Sequence, residues 1–430
     1  MLDPKAFRDA EAFAAVAARL GRRRMGAELD ALLGQLREQA DRRRAAIGEA
    51  DALKAELNAK SRAVGEAKRS GADASALLAE SGALSRRVDA AGAAAKVAEE
   101  AFTLLLRQVP NLPADDVPDG DASGNLVLRT WGEPRPAGPD VKAHWDLGKA
   151  LGILDLERGA MLAGSGFPLY VGLGARLERS LIQFMLDLHT REHGYIEVSP
   201  PYLVTRETMT GTGQLPKFED DQYKTTDDLF LIPTAEVPVT NLHRGEILSA
   251  EELPKRYVAY TPCFRREAGA HGADTRGLIR VHQFDKVEVV WLETPERSDA
   301  SHETLTRHAE TVLQRLGLAY RVVKLAAGDL GFANRRTYDL EVWAPGVGKW
   351  LEVSSCSTYG DFQARRMDTR FRAGKGVKPE YVHTLNGSAL ALPRTLIALL
   401  ETYQDPDGGV RLPAALLPYM GVERLAPGGA

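Results

Sequence analysis

Cysteine is scarce in this sequence: Cys263 and Cys356 are the only two, far apart and without a Cys-x-x-Cys partner. That excludes a disulfide framework and a cysteine-built zinc site, and no zinc is expected. Long apolar runs are missing as well. Nothing approaches the roughly 18 consecutive apolar residues of a membrane helix, and the first residues lack the apolar core of a secretory leader. A cytoplasmic chain with no membrane contact is therefore expected. An excess of one charge is also absent, with 55 basic against 59 acidic residues and a net charge of −4. Such a balance excludes a blanket nucleic-acid binder, so any polyanion must be met by local basic patches. With 430 residues and 44% hydrophobic content, the chain has material for one large domain or two.

Ala, Leu, Glu, Arg and Lys dominate residues 27–107, and helix-breaking residues cluster only around Ser70 to Asp73. The pattern predicts a long antiparallel helical hairpin. In its second half Leu77, Ser81, Leu84, Val88, Ala91, Ala95, Ala98, Phe102 and Leu105 alternate in steps of four and three, a seam with a 3.5-residue repeat. Leu33, Leu36, Ala40, Ile47, Ala50, Leu57 and Val64 follow the same frame in the first half, interrupted by Arg43, Lys54 and Ser61. At about 1.5 Å per residue each half would extend on the order of 50 to 60 Å. Near the tip Lys54, Lys60, Arg62, Lys68, Arg69, Arg86, Arg87 and Lys96 outnumber Glu56, Glu66, Asp73, Glu80 and Asp89, enough to neutralise a few phosphates. A dimerisation coiled coil or a spacer fits the same pattern.

The Pro-, Asp- and Gly-rich stretch after Val109 marks a boundary. The expected organisation is a helical arm over 1–110, a linker over 111–130 and an α+β body with an antiparallel sheet over 131–430. Within the body, Ala175 to His193 reads as an amphipathic helix leading to a strand at Tyr195 to Val198 and the pair Pro200-Pro201. Gly211 to Phe218 reads as a rigid loop. The run Leu229 to Val239 is expected to be an apolar strand with Thr234 and Glu236 on one face. Two strands, Tyr260 to Phe264 and Leu278 to Val290, flank a loop holding Gly269, His271, Gly272, Arg276 and Gly277. Arg265 and Glu267 are expected to share a face, as are Phe284 and Glu288, and Glu352 and Ser354. Asn386-Gly387-Ser388 reads as a turn and Pro393 as the first turn of a helix carrying Arg394. Taken singly, these are ordinary hairpin ion pairs and core positions.

Their conjunction is more specific. Phe264-Arg265-Arg266-Glu267, the long loop and the returning HQFDKVE run resemble the second signature motif of class II aminoacyl-tRNA synthetases, and in particular the seryl-tRNA synthetase family. The helix, strand and proline before them resemble the first motif, and NGSALALPR the third. The resemblance implies a homodimer whose catalytic domain charges tRNA(Ser), and tRNA(Sec) where present, with L-serine, using ATP and Mg2+. It implies that Arg265 and Arg394 are catalytic and that Thr234, Ala235, Glu236, Glu288 and Ser388 bind serine. ATP would meet Arg265, Arg266, Glu267, Val281, Phe284, Glu352, Val353, Ser354, Ser355 and Arg394, with Glu352 and Ser355 holding Mg2+. By the same resemblance the arm grips the tRNA and the motif 2 loop meets its acceptor end. Thr358 stands where the family pattern leads one to expect Asn. Two rivals are a ligase that loads an amino acid onto a carrier protein and a non-catalytic coiled-coil scaffold.

Overall fold

The computed structural model describes residues 1–267 and 276–428. It divides into two compact units, Met1–Pro110 and Asn111–Ala430.

The first unit holds helix α1 (Ala10–Gly21) and the hairpin of α2 (Ala27–Ser70) and α3 (Ser75–Leu106). Gly71 ends α2 in the left-handed conformation that other residues adopt at a cost, with φ 72°. Asp73 then accepts the Ser75 N–H and hydroxyl, restarting the chain as a helix. The predicted seam is the inward face: Leu33, Leu36, Ala40, Val64, Leu84 and Phe102 are buried and the small residues between them half-buried. Leu53 is a seam position that the repeat did not pick out. Arg43, an apparent interruption, pairs with Glu99 and lies over the Phe102 ring at 5.3 Å. Lys60 pairs with Glu80 across the hairpin at 2.5 Å, while Lys54, Arg62, Lys68, Arg86 and Arg87 are exposed.

The second unit is built on an eight-stranded sheet among the described residues. In chain order its strands are β1 (Leu126–Trp131), β2 (Ile196–Glu197), β3 (Lys255–Phe264), β4 (Gln283–Glu293), β5 (Tyr320–Lys324), β6 (Arg336–Ala344), β7 (Lys349–Gly360) and β8 (His383–Ala391). Their spatial order is β1-β5-β6-β7-β8-β4-β3-β2, antiparallel except for the β2–β3 pair. Helices α4 (Leu173–Arg191), α5 (Ser298–Arg315) and α6 (Leu392–Thr402) contribute to one hydrophobic core with the sheet. Strand alternation sorts β4 between two jobs. Val287, Val289 and Trp291 enter this core, while Phe284, Lys286 and Glu288 line a cavity. Burial of each such core side chain contributes about 1.5 to 3 kcal/mol, which holds the strand in register for the cavity side.

Residues 111–130 are not a free linker. The Asn111 amide donates to the carbonyls of Ala333 and Tyr359 at 2.9 and 2.7 Å, Ala114 and Val117 join a small buried cluster, and Leu126–Trp131 forms the sheet edge. Backbone donors too scattered for a regular element are satisfied by neighbours distant in sequence. Both cysteines are free and buried, and no described helix is long and apolar enough to cross a membrane.

Candidate active site

The cavity has a volume of about 660 Å³ and is walled by β4, β7, β8, the start of α6 and the segments 214–222, 233–236, 265–267 and 278–281. It collects every predicted site residue except Ala235, Arg266 and Ser354. Each exception has a local cause. Ala235 is wholly buried in the apolar cluster beside Val239 and Leu248. Arg266 is exposed, with its backbone N–H on the Asp221 carbonyl. Ser354 points away because a bulge interrupts the β6–β7 ladder between Glu352 and Ser354. The extra residue shifts the alternation, so Glu352, Val353, Ser355 and Ser357 line the cavity while the Ser354 hydroxyl donates to the Ser388 carbonyl at 2.5 Å.

Other expectations about local structure are corrected. The strand expected over Leu229 to Val239 covers only Leu229–Leu231, and Glu236–Thr240 is a short helix. Pro233 and Pro238 lack ladder donors, and the Thr234 hydroxyl accepts the Glu236 N–H at 3.2 Å, turning the chain into that helix. Strand β3 ends at Phe264, so Arg265 and Glu267 reach the cavity from irregular backbone, with Glu267 at φ 50°. Strand β4 starts at Gln283 rather than Leu278, and Asn386-Gly387-Ser388 lies inside strand β8 rather than in a turn. Gly269, His271 and Gly272 lie outside the described residues.

At one end of the cavity are the groups suited to phosphate and an aromatic base. Arg265 lies over the Phe284 ring at 5.1 Å and reaches the Pro233 carbonyl at 3.4 Å. Arg394 donates to the Glu352 carbonyl at 2.8 Å and to that of Ile279 at 3.2 Å, and its guanidinium is 3.5 Å from the Glu352 carboxylate. Pro393 begins α6 without wasting a backbone donor, which aims the following Arg394 at the cavity. A buried relay fixes the segment opposite: the Leu278 N–H donates to His144 Nε2 at 3.0 Å, and His144 Nδ1 donates to Glu401 at 2.8 Å. Gly277 makes this approach possible, since a Cβ there would meet His144 Nε2 at 2.2 Å.

Hard oxygen donors gather beside Arg394. Glu352 and Ser355 line the cavity, and Asp339 faces Ser355 across the β6–β7 ladder. Burial, then the Glu352 charge, holds the Asp339 carboxyl well above its usual range, and its buried Oδ1 has no hydrogen-bond partner. A carboxylate, a hydroxyl and a spare carboxyl oxygen suit a small hard cation sharing phosphate oxygens. Among the described residues no group of three or more His, Cys, Asp and Glu side chains is placed to hold a metal by itself.

The other end is polar, buried and fully connected. Glu288 accepts from Asn386 Nδ2 at 2.9 Å and from the Ser388 hydroxyl at 3.2 Å, and pairs with Lys286 at 2.7 Å. Glu236 accepts from Gln363 Nε2 at 2.7 Å. Burial pushes the Glu236 carboxyl up and the Glu288 charge adds to this, while Gln363 and Lys286 pull it partly back. The Tyr359 hydroxyl donates to Asn386 Oδ1 at 2.7 Å. Sequence reasoning singled out none of Lys286, Tyr359, Gln363 and Asn386 as site residues. Lys286 shares a strand face with Phe284 and Glu288, which was a usable signal.

Comparison with known proteins agrees with this architecture. Residues 1–113 match the seryl-tRNA synthetase N-terminal domain and residues 217–403 the class II tRNA synthetase core domain for G, H, P, S and T. The chain is 55% identical to a serine–tRNA ligase of Gemmatimonas aurantiaca over 95% of this chain and 97% of the relative. It is 52% identical to one of Geobacter sulfurreducens over 98% and 99%. A crystal structure of seryl-tRNA synthetase from Pyrococcus horikoshii complexed with ATP superposes with a TM-score of 0.93 at 36% identity, covering 100% of both chains. By this likeness over its whole length the chain belongs to the seryl-tRNA synthetase family of class II aminoacyl-tRNA synthetases, and it is a ligase of the serine–tRNA type.

Proposed function

We propose that the cavity binds ATP and L-serine side by side and joins them, then passes the seryl group to tRNA(Ser). What supports this is one observation: Arg265, Phe284, Glu352 and Arg394 share a single cavity with Thr234, Glu236, Glu288 and Ser388. The serine carboxylate attacks the α-phosphorus, releasing diphosphate and leaving seryl adenylate. A terminal ribose hydroxyl of the tRNA then takes the acyl group and AMP departs. No side-chain nucleophile is required. Arg265 and Arg394 stabilise the charge that gathers on the phosphoryl oxygens, and alignment of the two substrates supplies much of the rate. Glu352 and Ser355 would hold Mg2+, which when bound offsets phosphate charge. Thr234, Glu236 and Glu288 receive the ammonium, and Ser388 with Glu288 meets the hydroxyl. Alanine leaves those buried groups unpaired, a defect worth roughly four to five powers of ten in comparable sites.

The 1–110 unit is proposed to grip the tRNA by its backbone, through exposed cations such as Lys54, Arg62, Arg86 and Arg87. Pairing through the first motif is proposed as well. Ile196 on the edge strand is 62% exposed and Met161 and Leu162 are 75% and 70% exposed, apolar area that a second copy would cover. Action in the cytoplasm is proposed on the strength of two free thiols. Serylation of tRNA(Sec) is the extension of the same chemistry to a second tRNA. The purified protein is expected to charge tRNA(Ser) with labelled serine and to catalyse serine-dependent diphosphate exchange, which Arg265→Ala abolishes. Normal exchange by that variant would exclude the role given to Arg265, and exchange without charging would favour a carrier-protein ligase.

A further inference from the structure

The amino-acid end of the cavity buries two carboxylates and one ammonium, and the reaction as described uses only the carboxylates. Glu236 and Glu288 are 8% and 1% exposed, and Lys286 is 5% exposed. Lys286 lies two residues before Glu288 on β4, so the backbone itself aims both side chains at the cavity. Its ammonium donates to the Thr234 hydroxyl at 2.8 Å and stands 2.7 Å from Glu288 Oε2. One lysine thus ties together two groups that reach the pocket from separate segments, the turn at Thr234 and the strand at Glu288.

Charge counting gives the lysine a second consequence. Two buried carboxylates without a cation would repel each other, and one would take up a proton. By formal charge, one lysine against two glutamates leaves one negative charge. That is the complement of one substrate ammonium. A pocket with two negative charges would instead match a doubly charged amino acid.

We propose that Lys286 is a specificity-setting positioning residue: it holds Thr234 and Glu288 in place before the amino acid arrives and limits the pocket to a single positive charge. The inference rests on the serine-activating reading above. Removing the lysine charge relaxes discrimination against L-2,3-diaminopropionate, an analogue of serine in which a second ammonium replaces the hydroxyl. Discrimination of this kind is a difference of affinities, and the lysine supplies its repulsive part.

The test compares amino-acid-dependent diphosphate exchange of the intact protein with serine and with L-2,3-diaminopropionate near pH 6.5, for wild type, Lys286→Met and Lys286→Arg. Serine-dependent exchange by the wild type checks the underlying reading by itself. In Lys286→Met the ratio of kcat/KM for serine to that for the analogue is expected to fall by about tenfold or more. Lys286→Arg keeps the charge and is expected to keep a wild-type ratio. An equal loss for both amino acids in Lys286→Met would overturn the proposal, because a purely structural lysine lowers activity without changing preference. Should Lys286→Met prove insoluble, Lys286→Arg decides: a wild-type ratio supports the charge argument, and a ratio shifted toward the analogue contradicts it.

Discussion

Replacing Gln363 by Leu separates the two ends of the cavity. The carboxamide is fully buried and makes three hydrogen bonds: Nε2 to Glu236 at 2.7 Å and to the Thr212 carbonyl at 3.2 Å, and Oε1 from the Thr384 hydroxyl at 2.6 Å. Leucine nearly conserves volume and removes all three. The bond to Glu236 is to a carboxylate and is worth about 1.5 to 3 kcal/mol. Since a factor of ten corresponds to about 1.4 kcal/mol, KM for serine is expected to rise roughly 10- to 100-fold. The donor lost is also one that lowers the Glu236 pKa, so the acid limb of serine binding moves to higher pH. The Thr212 carbonyl and Thr384 hydroxyl lose their bonds to the amide, at about 1 to 3 kcal/mol for each group left unpaired, and the melting temperature falls. None of the three bonds reaches Arg265, Phe284, Glu352 or Arg394, so KM for ATP is expected to hold within a few-fold. Diphosphate exchange titrated separately in serine and in ATP, with a thermal melt, measures all of this. Equal increases in both KM values would refute the assignment of Glu236 to the amino-acid end.

Two further outcomes follow from other parts of the molecule. Burial and then the Asp285 charge raise the Glu178 carboxyl well above the ordinary carboxylate range, while the Tyr260 hydroxyl donates to Asp285 at 3.1 Å. A carboxyl raised on folding stabilises fully below its unfolded pKa, and that contribution is lost as pH climbs from there through the folded value. Glu178→Gln is therefore expected to flatten the loss of stability as pH rises above the ordinary carboxylate range; parallel wild-type and variant melting curves against pH would contradict the pair. Deleting residues 35–98 is expected to abolish tRNA charging and leave diphosphate exchange measurable, and undiminished charging would remove the arm from tRNA recognition.

What was legible in the sequence was what short range determines. The α2–α3 seam follows from local periodicity, and even Arg43, which breaks it, sets its guanidinium over the Phe102 ring and against Glu99. The residues expected at the site were named through family resemblance, most of them line one cavity, and strand alternation explains why Phe284 and Glu288 share a face. Alternation failed at Ser354 because a bulge cannot be seen in residue types alone. It failed at Thr234 and Glu236 because two prolines and a local bond from the Glu236 N–H to the Thr234 hydroxyl outweighed an apolar run. The 111–130 stretch has the composition of a linker, yet its bonds go to residues more than two hundred positions away. Gln363 was missed for the same reason, since its partner Glu236 lies 127 residues earlier.

The central claim is that one cavity holds a nucleotide phosphate against Arg265 and an amino acid against Glu236 and Glu288. A crystal structure of the protein with a non-hydrolysable seryl-adenylate analogue and Mg2+ tests it most directly. The adenine is expected on Phe284, the phosphate surrogate on Arg265, and the seryl ammonium and hydroxyl among Thr234, Glu236, Glu288 and Ser388. An analogue bound outside this cavity, or bound in it with its two ends exchanged, would contradict the account.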